Sequence, residues 1–177
     1  MPQQPYVDLT LLVLLFFACM YDLAQRRIPN RLLALGLLGA LGLHLWLMPP
    51  LALLTHLLGG FATCLAMFLP LYLMRAMAAG DVKLMATVGS FSGPALGLEI
   101  GLATYCAGGL LALGILLVKG QLRVALGNAS AVLRPLLLRL GGTPLALDGL
   151  PQASVGGMPY ALAITSGTVL MLWIRHT

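Results

Sequence analysis

The sequence predicts an all-α, polytopic membrane protein of six transmembrane helices with a short fourth helix, read as a single domain over 1–177. Three observations predict it. First, 60% of the residues are apolar, 8% are charged and the mean hydropathy is +0.98. A soluble domain carries roughly 25% charged residues, so this chain lacks the charge to cover a water-facing surface. Disorder is excluded by the same apolar content. Second, residues 32–74 hold no Asp, Glu, Lys or Arg, residues 84–118 hold only Glu99, and residues 140–174 hold only Asp148. Third, nine of the ten basic residues fall in three groups between apolar runs: Arg26, Arg27 and Arg31; Arg75 and Lys83; Lys119, Arg123, Arg134 and Arg139. Basic loops mark the cytoplasmic side. The basic excess faces lipid headgroups, and no clustered water-facing platform for nucleic acid exists, so nucleic acid is not expected as a partner.

A helical span needs about 20 apolar residues. The first runs over Tyr6–Leu23, with its positive charge after the apolar stretch rather than before it. That order is opposite to a cleaved signal peptide and implies an N-terminus outside. The second covers Arg31–Met48 and stops at Pro49-Pro50; the third covers Leu51–Met74, followed by a polar loop, Arg75–Lys83. Lys83 and Lys119 belong on one side, so the chain between them crosses twice or not at all. One continuous helix of that length would be roughly 50 Å long, against a hydrocarbon core of about 30 Å. A break is therefore expected at Ser92-Gly93-Pro94, leaving a short helix and a long one over 95–118. Residues 119–155 read as a cytoplasmic interfacial segment, and Gly156–Ile174 as the last span. Both termini are then periplasmic.

Cys19, Cys64 and Cys106 lie in apolar runs with no CxxC pair, and are read as core residues. His44 and His56 are read as packing residues near the outer side. Without a second ligand at helical spacing, no metal site is expected.

Five acids exist: Asp8, Asp22, Asp81, Glu99 and Asp148. Asp8 and Glu99 fit helix N-termini, where the dipole favours a carboxylate. Asp148 before Gly149 reads as a turn residue. Asp22 ends the first span and Asp81 lies in Gly80-Asp81-Val82-Lys83, at matching depth on the cytoplasmic side. Each alone has a plain explanation: an ion pair with Arg26 for Asp22, a helix cap with Gly80 as the turn for Asp81. Together, two acids at one depth suggest a carboxylate dyad. Such a pair shares one proton; the ionised member activates water and the protonated member polarises a carbonyl. The helix ends favour Asp81 as base and Asp22 as acid. Asn30 is read as the cap of the second span, and Lys83 as a neutraliser of Asp81, a contact for a substrate acid, or a plain snorkelling lysine. The rival reading is a small proton-coupled transporter or channel subunit using both acids as a relay, and a third is a non-catalytic assembly scaffold.

Asp22…Ile28-Pro29-Asn30, the run Gly80-Asp81-Val82-Lys83-Leu84-Met85 and the segment Met158-Pro159-Tyr160-Ala161-Leu162-Ala163-Ile164 resemble the type IV prepilin peptidases, aspartic membrane proteases of the GxGD class. The likeness covers almost the whole chain, and the short form resembles the peptidases of tight-adherence (Flp) pilus systems. The resemblance implies removal of basic leader peptides from prepilins or pseudopilins at the cytoplasmic face of the bacterial inner membrane. It implies that Asp22 and Asp81 are catalytic, with Gly80, Lys83, Pro29, Asn30, Pro159 and Tyr160 in support. It implies no cofactor; the partners are the substrate helix and membrane lipids. Ala78 stands where the family has its first glycine, which puts the shape of that loop in question. The paired CxxC region of the methylating family members has no counterpart here, so no methyltransferase activity is expected.

Overall fold

A computed structural model describes residues 5–74, 76–120 and 160–177. The described residues form five helices: α1 (Pro5–Gln25), α2 (Asn30–Leu47), α3 (Pro50–Leu73), α4 (Ala79–Val118) and α5 (Tyr160–His176). Four of them, α1 to α4, are long and apolar enough to cross a membrane, and α5 has 17 residues. The fold is all-helical as expected, but this helix count does not itself show six crossings. Arg75, Pro159 and the interfacial segment from residue 121 onward lie outside the described residues.

Two compact units divide the chain: residues 1–108 with 159–177, and residues 109–158. In the second unit, the described part is the end of α4 followed by a turn at Lys119 and Gly120. The two candidate carboxyls, Asp22 and Asp81, lie in the first unit.

Prolines and one left-handed residue set the helix ends. Arg26 closes α1 with φ 53, and its N–H bonds the Asp22 carbonyl at 2.9 Å. This left-handed exit ends helices well but usually falls to glycine, because a Cβ there is strained. It turns the chain into Ile28-Pro29. Pro29 is the N-cap of α2 with φ −65, and no side chain caps the helix. Asn30 is therefore the first helical residue and not the cap expected from its residue type. Pro50 occupies the first turn of α3, where its missing N–H costs nothing.

Helix α4 starts at Ala79, so Gly80, Asp81 and Lys83 are helical rather than part of a polar loop. The break expected near Ser92-Gly93-Pro94 is present: Gly93 has φ 76 and ψ 176. A side chain has no room there, since a Cβ on Gly93 would lie 2.6 Å from Nδ1 of His56. Glycine also reaches this φ without strain.

The segment of α4 before the break is the centre of the unit. Residues Leu84 to Phe91 are buried without interruption, which requires helix neighbours on every side. The inward stripe of α1 is Val7, Leu11, Leu14, Leu15, Ala18, Cys19 and Asp22. Its last member is a carboxylate. Cys19 and Cys64 are buried, while Cys106 is exposed and not the core residue its apolar run suggested.

At the opposite end of α1, Asp8 accepts from His176 Nε2 at 3.2 Å, tying α1 to α5. Partly exposed pairs of this kind contribute at most about 1 kcal/mol. Asp8→Asn should lower unfolding stability by no more than that, as measured by denaturant unfolding in mixed micelles. The same end holds a cavity of about 270 Å³ lined in part by His44 and His56. Both rings are spoken for: His44 Nδ1 donates to the Ala40 carbonyl at 2.8 Å and His56 Nε2 to the Phe91 carbonyl at 3.4 Å.

Candidate active site

Asp22 and Asp81 are 8% and 7% exposed. A carboxylate removed from water this far is costly and calls for a partner. Asp22 is the last residue on the buried stripe of α1, and Asp81 stands in the first turn of the central segment of α4. Their charges lie within interaction range of each other. Two acids 59 positions apart in sequence (81 − 22) are thus brought to one end of the unit.

Neither is neutralised by a cation among the described residues, where the one ion pair is His176 with Asp8. The Asp22–Arg26 pair and the Lys83–Asp81 pair considered from sequence are absent there. Instead, Asp22 Oδ2 accepts the backbone N–H of Ala161 at 3.2 Å. Ala161 is the second residue of α5, so its N–H is one of the first-turn donors with no partner inside the helix. The positive end of that helix also favours negative charge on Asp22. Tyr160, just before it, lies within electrostatic range of Asp81. Three helices thus meet at the two carboxyls.

The α1–α2 connection reaches across to α4. Ile28 faces Gly80, where an added Cβ would meet the Ile28 Cβ at 3.5 Å, an ordinary contact. Lys83 Nζ donates to Asn30 Oδ1 at 3.2 Å on the exposed side. Pro29 positions Asn30 by fixing the start of α2. Gly80 is not the turn before a helix cap that was expected: it is the second residue of α4, and among the described residues only Arg26, Gly93 and Gly120 have positive φ. The same observation answers the question raised by Ala78. Its carbonyl accepts the Asp81 N–H at 3.2 Å and its φ is not left-handed, so alanine serves as well as glycine there. Among the described residues no three His, Cys, Asp or Glu side chains converge as a metal site would need. Pro159 lies outside the described residues.

The sequence reading missed Ala161, which acts through its backbone N–H and leaves no side-chain signal. It also missed the Cys19–Thr165 hydrogen bond of 3.1 Å that joins α1 to α5 one turn from Asp22.

Residues 9–113 match the model of the type IV leader peptidase family. The chain belongs to that family. The match contains Asp22, Asp81, Gly80, Lys83, Pro29 and Asn30, and it ends before Tyr160. A comparison with curated proteins and one with solved structures found no match. The chain is accordingly a protease of the leader-peptidase kind.

In this family member the Lys83–Asn30 bond pins the loop that follows Asp22 onto the helix that carries Asp81. A bond of this type contributes about 1 kcal/mol. Lys83→Ala and Asn30→Ala should each lower cleavage several-fold, with the double variant no worse than either single one. Losses that multiply would show that the two side chains act independently.

Proposed function

We propose that this protein is an aspartic endopeptidase that removes the basic leader from type IV prepilins or pseudopilins at the cytoplasmic face of the bacterial inner membrane. The observation that carries the reading is the pair of buried carboxyls, Asp22 and Asp81, from two helices and within range of each other's charge. Two such groups cannot both ionise cheaply, so they hold one proton between them. The ionised member takes a proton from water as it attacks the scissile carbonyl, and the protonated member gives its proton to the carbonyl oxygen. Collapse of the resulting gem-diol transfers a proton to the leaving amine and releases the leader acid and the new pilin N-terminus.

The donor from α5 bears on which acid does which. Asp22 receives the Ala161 N–H and faces the positive end of a helix. We therefore assign Asp22 as the base and Asp81 as the proton carrier, the reverse of the assignment drawn from sequence. Sequence showed only that Asp22 ends α1; the start of a distant helix beside it came from the fold.

The orientation follows from charge. With the dyad end cytoplasmic, Arg26, Arg27, Arg31 and Lys83 lie on that side, as basic residues favour. The break at Gly93 lets α4 supply two crossings, which gives six in all with both termini periplasmic. The transporter reading draws no support from the acids, because Asp22 and Asp81 sit at helix ends and do not step through the membrane.

The test is to incubate the purified protein in lipid with a prepilin carrying its basic leader, and to read the new N-terminus by mass spectrometry. Cleavage at the leader junction is expected. Proton flux across vesicles without cleavage would overturn the assignment.

A further inference from the structure

We infer that Gly108 is a positioning residue for the dyad, acting as the seat of Tyr160; the inference rests on the peptidase reading above. Gly108 is buried on α4, and a Cβ there would lie 2.8 Å from the Tyr160 hydroxyl oxygen, 3.0 Å from Cζ and 3.1 Å from Cε2. The phenol tip thus occupies the space that any other residue at 108 would fill. Tyr105 stands three residues, about one turn, before Gly108 on α4. Its hydroxyl donates to the Met67 carbonyl, and its ring packs on Phe68 with centroids 4.6 Å apart, so α3 holds that side chain in place. Tyr160 directly precedes Ala161, whose N–H bonds Asp22 at 3.2 Å, which places the slot at the dyad end of α5.

Tyr160 is the first residue of α5, and the next N–H, that of Ala161, is the one bonded to Asp22. A ring locked into α4 one residue before that donor fixes the start of α5 against the carboxyls. Gly108 therefore acts on Asp22 through Tyr160 and Ala161, with no contact to substrate. The neighbouring glycine serves as an internal control: a Cβ on Gly109 would meet nothing within 4 Å. Both substitutions to alanine change helix propensity alike, and they differ only in the ring.

The experiment compares Gly108→Ala, Gly109→Ala, Tyr160→Ala and the double variant Gly108→Ala/Tyr160→Ala in single-substrate cleavage kinetics and thermal unfolding. Misplacing a catalytic group by a fraction of an ångström to an ångström costs about tenfold or more in rate. Gly108→Ala and Tyr160→Ala should each lose about tenfold in kcat with KM little changed, because substrate binding is untouched. Gly109→Ala should match wild type. The double variant should be no slower than the slower single variant, since the added methyl then has no ring to displace. If Gly108→Ala folds poorly, the double variant should recover the folded yield. Wild-type kcat in Gly108→Ala, losses that multiply in the double variant, or failure of that recovery would each overturn the inference. Asp22→Asn and Asp81→Asn run alongside: if they cleave normally the peptidase reading itself fails, whereas their inactivity with a fully active Gly108→Ala removes the seat alone.

Discussion

Asp22→Asn and Asp81→Asn should each lower leader cleavage by about 10³-fold, the scale of losing a positioned acid or base. Asparagine has nearly the shape of aspartate but can neither take a proton from water nor give one to a carbonyl. The loss should fall on kcat, with substrate still bound. Folding should survive, because an asparagine at 22 still offers an oxygen to the Ala161 N–H and an uncharged amide relieves the burial of charge at both positions. Purified variants with wild-type unfolding curves and no product by mass spectrometry are the expected result. A variant that retains substantial cleavage would leave its carboxyl without a chemical role.

The largest effect on stability is expected where α3 crosses the central segment of α4. A Cβ on Gly60 would lie 2.7 Å from the carbonyl carbon of Gly89 and 2.9 Å from that of Gly93. A Cβ on Gly89 would lie 2.8 Å from the carbonyl carbon of Gly60 and 2.7 Å from Cys64 Sγ. The obstacles are mostly backbone, so no rotamer change relieves them and the helices must separate. Overpacking of this kind costs about 3 kcal/mol, well above the gain of about 1 kcal/mol that alanine brings to helix propensity. Gly60→Ala and Gly89→Ala should therefore unfold at clearly lower denaturant in mixed micelles. Gly42→Ala, where a Cβ meets nothing within 4 Å, should be neutral or slightly stabilising. Equal stability of Gly60→Ala and Gly42→Ala would show that the helices do not approach as closely as described. Small residues at such crossings let backbones meet in a setting where lipid removes the hydrophobic drive between helices.

Much of this was legible in the sequence because membrane chemistry is strict. Long apolar runs marked α1 to α3, Pro49-Pro50 marked the turn between α2 and α3, and Gly93-Pro94 marked the break in α4. The candidate acids stood out because an acid in so apolar a chain is rare. What was not legible depends on partners distant in sequence. Asn30 has the residue type of a helix cap, yet its side chain meets Lys83 of α4, and only the fold brings the two together. Polar residues at 80–83 suggested a loop, but an acid is well placed in a first helical turn and tertiary packing carries the helix through them. Cys106 lies in an apolar run whose outward face also meets lipid, so hydropathy alone could not tell core from surface. Ala161, Gly60 and Gly108 act through a backbone donor or a missing side chain, which no residue pattern advertises.

The proposed chemistry needs Asp22 and Asp81 to work as one unit. Single-turnover cleavage of a prepilin by Asp22→Asn, Asp81→Asn and the double variant, purified together and assayed at one substrate concentration, tests this most directly. All three should fall to a common residual rate, because removing either half of a proton-sharing pair removes the pair. A rate within about tenfold of wild type in either single variant, below even the lower bound for one positioned acid or base, would contradict it.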